Sequence, residues 1–211
     1  MTLRTVLFSA LLTIAVTGSD ADSTPPAPAL TLEAAGELLA QESGHSVRKF
    51  STRDFGREPF SGAQSVLVPE ERALQLLDTV RARLGPGLIA FIGTQDSLAE
   101  PPAVGVEVVV APGETQFDIL RVAASDAINY DMETEDLIRE LQAWDSEFGI
   151  DIYAAQTDVV QLRLRQMPTD LKQFADRVYA FCPDIVDQGT ETVDELAKYI
   201  ADTREVYLWW D

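Results

Sequence analysis

The side chains with most capacity for chemistry gather around one proline-broken stretch, Tyr179-Ala180-Phe181-Cys182-Pro183-Asp184-Ile185-Val186-Asp187-Gln188-Gly189. Asp184 and Asp187 stand three residues apart with Gln188 beside them. Two carboxylates at that spacing can serve acid–base chemistry or offer oxygen ligands to a hard cation, although two acids alone make a poor cation cage. A second polar segment, Asn129-Tyr130-Asp131, leads into a predicted helix whose positive end favours Asp131 as a carboxylate. The chain closes on Trp209-Trp210-Asp211. Tyr130, Asp131, Asp184, Asp187, Gln188, Trp209 and Asp211 are therefore the candidate ligand-binding residues. The plainer alternative is that the aspartates bond to loop amides and cap turns, as short acidic side chains do. No catalytic residue is assigned. Cys182 is the only cysteine and His45 the only histidine, far apart in sequence. That leaves no Cys/His nucleophile pair, no metal-ligand cluster and no disulfide, and without a glycine-rich phosphate loop no cofactor is expected.

The elements that must position these residues are legible from periodicity. Thr31 caps a helix with Leu32, Ala35, Leu38 and Leu39 at helical spacing, ending at Gly44. A short strand is expected over 46–50, loop over 53–62, and a brief strand over 65–68. Pro69 then opens a helix whose apolar stripe is Leu74, Leu77, Val80 and Leu84. Leu88 to Ile92 reads as a strand buried on both faces and Val106 to Val110 as another, with polar, proline-broken sequence over 94–103 between them. A strand over Gln116 to Ala123 precedes a helix opened by Thr134, with Leu137, Leu141, Trp144 and Phe148 inward and Gly149 closing it. Ile150 to Ala155 and Val159 to Arg165 form a hairpin. Val160, Leu162 and Leu164 alternate with Gln161, Arg163 and Arg165, so one face is buried and the other wet.

A helix with Leu171, Phe174, Val178 and Phe181 inward then runs to Pro183, and Thr192 with Glu195 has the spacing of a capping box for the last helix. The chain ends in a strand, where Trp209 and Trp210 must face opposite ways. The order β-α-β-β-α-α-β predicts an α+β class: a C-terminal split β-α-β, ferredoxin-like sandwich with one extra helix over 114–211, preceded by a smaller α/β region over 31–113. If the helix from Thr192 runs back along the sheet, the last strand brings Asp211 to Asp131, Asp184 and Asp187. If it lies crosswise, these acids stay apart.

The 211 residues, 46% hydrophobic, suit a soluble globular chain. A formal charge of −19 repels nucleic-acid phosphates and anionic lipid, and leaves a basic protein or a small ligand as partner. The acid is uneven, with 22 acidic against 8 basic side chains over 114–211. At the N-terminus Arg4, the apolar run Thr5 to Val16 and the small residues Ser19-Asp20-Ala21 read as a signal peptide over 1–21. A Pro-rich tether over 22–30 follows. Ser19 stands where a lipoprotein would carry its acylated cysteine, so the mature chain is expected free of the membrane, secreted or periplasmic.

The Phe181-Cys182-Pro183-Asp184-Ile185-Val186-Asp187-Gln188 signature, the capped helix after it and the terminal Tyr207-Leu208-Trp209-Trp210-Asp211 resemble the bacterial family labelled domain of unknown function 4253, over roughly residues 105–211. The resemblance implies a domain boundary and no reaction. The functional expectation is an extracytoplasmic, acidic binding or interaction domain, with a hydrolase or cation-binding enzyme built on residues 184–188 as the alternative.

Overall fold

The computed structural model describes residues 30–50, 60–93 and 105–211. The expected signal peptide, nearly all of the tether, and most of the loops expected over 53–62 and 94–103 lie outside them. Seven strands form one mixed sheet: β1 (Arg48–Phe50), β2 (Phe60–Val68), β3 (Leu88–Ile92), β4 (Val106–Pro112), β5 (Ile150–Ala155), β6 (Val159–Leu164) and β7 (Glu205–Trp209), in the order β1-β2-β4-β3-β5-β6-β7. Every neighbouring pair is antiparallel except β3 with β5. The α-helices among the described residues are α1 (Leu32–Ser43), α2 (Glu70–Leu84), α3 (Asp118–Ala123), α4 (Thr134–Phe148), α5 (Leu171–Phe181) and α6 (Val193–Thr203). This is the expected α+β class, and the single sheet runs through both the 31–113 and the 114–211 regions.

Alternation on the central strands makes two cores. Ile89, Phe91, Val109 and Ala111 face α3 to α6, together with Val160, Leu162, Val206 and Leu208. Ala90, Val106, Val108 and Val110 face the other way, against α1 and α2. The central strands are thus covered on both sides, which is why β3 and β4 read as unbroken apolar runs. On β6 and β7 the residues between the core positions, Gln161, Arg163, Glu205, Tyr207 and Trp209, share the face of the α1/α2 layer but lie beyond it.

Residues 116–123, expected as a strand, form a turn and then α3 instead. Ile119 and Val122 favour extended chain, but Asp118 accepts the backbone N–H groups of Glu114 and Thr115, both at 2.9 Å, and winds the segment into a turn. Arg121 then ties Asp118 to Glu135 of α4. The consequence for topology is that the parallel neighbour of β5 is β3, not a strand from residues 116–123. In α2 the buried stripe is Ala73, Leu76, Leu77, Val80 and Leu84, while Leu74, expected inward, is exposed. Leu77, Val80 and Leu84 are inward as expected, and the first turn of the stripe is completed by Ala73 and Leu76 in place of Leu74. At α4 the cap falls on Glu133, whose side chain and that of Asp136 make the reciprocal box, one residue before the expected Thr134.

An edge-to-face aromatic chain carries packing from α4 to the C-terminus. Ring centroids lie 5.6 Å apart for Trp144 and Phe181 and 5.4 Å for Phe181 and Trp210. Such contacts add about 0.5–1.5 kcal/mol each beyond area burial. They fix the end of β7 against the end of α5.

Candidate functional site

The site begins where α5 stops. Pro183 has no N–H and excludes helical geometry from the residue before it, and Cys182 accordingly sits at φ −135°, ψ 84° after its own N–H has closed the last helical bond to Val178. The carbonyl of Pro183 accepts the N–H groups of both Val186 and Asp187 at 3.0 Å, and the chain turns into a π-helical segment, Ile185–Thr190. Glu191, at φ 66°, closes this wide turn through its N–H to the Val186 carbonyl, and the Thr192 hydroxyl caps α6 by accepting from Glu195. Ile185 and Val186 are buried, and Asp187, Gln188 and Gly189 are exposed.

From this turn Asp184 reaches inward, with only 6% of its surface exposed. One oxygen accepts from the Tyr130 hydroxyl at 2.7 Å and the Gln188 amide at 3.1 Å, and the other accepts the backbone N–H of Asp211 at 2.9 Å. Burial works against the charged form, yet the bonds from Asp211, Tyr130 and Gln188 outweigh it and hold the Asp184 carboxyl below its ordinary value. The same Asp184 hydrogen bond, followed by burial and nearby negative charge, pushes the Tyr130 hydroxyl up to about 12. Asp187 accepts from Tyr179, in the last turn of α5, at 3.0 Å.

Cys182 completes the connection to the C-terminus. Its thiol donates to the Trp209 carbonyl at 3.0 Å and accepts the Trp209 N–H at 3.3 Å, the two groups an edge strand leaves without a partner. Burial pushes the thiol up to about 11. Trp210 is buried and donates its indole N–H to the Phe181 carbonyl, while Trp209 is half-buried on the opposite face. The terminal tripeptide is thus clasped by residues 181–184.

Of the candidate residues marked by the sequence, Tyr130, Gln188 and the backbone N–H of Asp211 all meet on Asp184; Asp187 lies further along the turn. Asp131 adjoins Tyr130, exposed and left-handed at φ 55°, a conformation aspartate tolerates. Trp209 enters through its backbone. The return of the last strand is the arrangement that brings Asp211 to the loop. Two further acids stand at this end that periodicity did not mark: Asp126, whose N–H bonds the Thr157 carbonyl, and Asp158, whose carbonyl accepts the Trp210 N–H. Burial, then the charges of Asp211 and Asp126, raise the Asp158 carboxyl above its ordinary value. Both belong to turns, whose spatial neighbours sequence spacing cannot show. Elsewhere Glu107, 1% exposed, accepts from Ser65 at 2.9 Å and pairs with Arg48. A glutamate inside the apolar run 106–110 was its only sequence signal.

The fold and site define a mixed α+β domain whose C-terminal strand is locked by an acidic, π-helical turn. Residues 107–211 match the family described as a domain of unknown function (DUF4253), and the chain belongs to that family. No curated protein and no solved structure matches the chain. Among the described residues no group of three or more His, Cys, Asp or Glu side chains is placed to hold a metal ion, and no helix is long and apolar enough to cross a membrane.

Proposed function

We propose that the chain is an extracytoplasmic binding module whose acidic end takes a basic segment of a partner protein. The observation that carries this reading is the set Asp126, Asp131, Asp158, Asp184, Asp187 and Asp211, gathered at one end of the sheet. Among the described residues none of the six has a Lys, Arg or His within 4.0 Å. Acids elsewhere are commonly neutralised within the chain, as in Arg121 with Glu135 and Arg163 with Glu205. Unneutralised charge beside apolar surface, here Ile128 at 73% exposure and half-buried Trp209, suits a cationic partner and speeds its encounter. The extracytoplasmic part of the reading rests on the sequence of residues 1–21.

The enzyme alternative, built on residues 184–188, draws less support, because a proton carrier needs a carboxyl raised toward neutrality and Asp184 is held the other way, while the raised carboxyl at this end, Asp158, lies outside that loop. The test is recovery of the native chain from its envelope fraction at low and high salt, with mass spectrometry of what co-purifies. A basic protein released by salt, and lost from a chain carrying Asp131→Lys and Asp187→Lys, is the expected result. Recovery with no basic protein, or one indifferent to both changes, would count against the reading. Retention of Met1 in the native chain would remove its extracytoplasmic part.

A further inference from the structure

At the opposite end of β5 the sheet is parted. The β3–β5 ladder has one aligned pair, Ile92 with Ala154, and nearer their N-terminal ends the two strands are joined by side chains. Arg81 donates through Nε to the Ala90 carbonyl at 2.9 Å, through Nη1 to Asp151 at 2.9 Å and through Nη2 to the Ile152 carbonyl at 2.6 Å. Gln116 accepts the Ile152 N–H at 2.9 Å and donates to the Ile150 carbonyl at 3.3 Å. These bonds satisfy ladder groups that would otherwise be orphaned, and a cleft of about 350 Å³ opens beside them. That volume is in the range of small-molecule sites.

The cleft has a definite chemistry. Leu84, Leu88, Ile89 and Ile119 supply apolar wall, and Arg81, Arg165, Thr115, Glu114 and Asp151 the polar lining. Arg165 is exposed there, and its guanidinium has no partner among the described residues. Arg83, Arg139, Arg163 and Arg177 are by contrast each paired with a carboxylate. The backbone of Arg165 is fixed, its N–H bonded to the Gly149 carbonyl and its carbonyl accepting Nη2 of Arg204 at 2.6 Å. Of the five N–H donors of Arg81 three are engaged, so two are left over. Arg81 is paired with Asp151, so among the described residues Arg165 is the guanidinium of the lining without a carboxylate, and it offers one charge to one carboxylate.

From this geometry we infer a second binding site, independent of the acidic end: the β3–β5 cleft takes a small organic monocarboxylate, its charge on Arg165 and its apolar part on the leucine and isoleucine wall. The site is tested by amide NMR titration of the mature full chain with 4-methylpentanoate, and separately with inorganic phosphate, at constant ionic strength. The expected result is saturable shifts around residues 85–90, 114–119, 151 and 165, with affinity in the range of about 1 mM for so small a ligand. Arg165→Gln, a change on an exposed side chain, should leave the unfolding temperature unchanged and weaken 4-methylpentanoate by about tenfold or more. Absence of saturation by about 50 mM would overturn the inference, that being far above the expected affinity. Equal affinity in Arg165→Gln, or phosphate bound as tightly as the carboxylate, would overturn it too.

Discussion

Asp184 acts as an anchor: a carboxylate taken out of water and repaid by three donors from three parts of the chain. Asp184→Asn replaces one acceptor oxygen by an amide that faces donors, and should lower stability by roughly 1–3 kcal/mol in denaturant titration. The pH dependence has a defined sign. Because the folded carboxyl lies below its ordinary value of about 3.9, its stabilising contribution is complete above that pH and is lost as pH falls through the folded value. Denaturation midpoints followed from pH 6 downward should therefore fall more steeply in the native chain than in Asp184→Asn. Equal slopes would show that the three bonds do not favour the charged form. Cys182 makes a different residue-scale case. Cys182→Ala removes the partner of both the Trp209 N–H and carbonyl, and should cost about 1–3 kcal/mol, whereas the thiol of the native chain should react with a thiol reagent only on unfolding. Rapid labelling in the absence of denaturant would contradict the burial of Cys182.

At the scale of elements, two devices stand out. The π-helical turn between α5 and α6 provides the reversal that lets β7 come back beside β6 and place Asp211 at the loop. The β3–β5 seam is the other, because side chains replace most of its backbone ladder. Arg81→Met keeps the aliphatic stem and removes all three bonds, leaving the Ala90 and Ile152 carbonyls without that donor. Hydrogen exchange should then quicken at Ile152 and its neighbours on β5 while β6 and β7 stay protected, and stability should fall by about 2–4 kcal/mol. Exchange unchanged on β5 would mean that the ladder does not depend on Arg81. Legibility followed length here: α4, fifteen residues long, was readable in its span and in four of its five buried positions, Ile138 being the one not marked. The six-residue α3 was not, because a short apolar run has no period and its helix is set by Asp118 and by packing on β3 and β5.

For the whole molecule, the family match begins inside β4, and a fragment starting there lacks β1, β2, β3 and both helices of one layer. Its β4 would have no neighbouring strand, and β5 would lose its parallel partner. We expect residues 107–211 expressed alone to show reduced amide dispersion and no cooperative thermal transition, while the chain from residue 30 onward unfolds in one step. A fragment with native-like dispersion would show that the C-terminal strands need no support from β3. Charge is organised on the same scale, with the unneutralised acids at one end of β5 and the two arginines of the cleft at the other.

The sequence by itself determined the class and most of the elements, because periodicity and capping are local: apolar spacing, Pro69, the Thr31 and Thr192 caps and Gly149 act within a few residues. The candidate residues Tyr130, Asp184, Gln188 and Asp211 were also marked by type. What only the tertiary structure decided was which of them meet and how their charge is held. The strand order and the return of β7 depend on contacts between residues far apart in the chain, and so does the pairing of Asp184 with Tyr130, 54 residues away. The same holds for the cleft, since Arg81, Gln116 and Asp151 have no common motif and are neighbours only because β3 and β5 lie side by side.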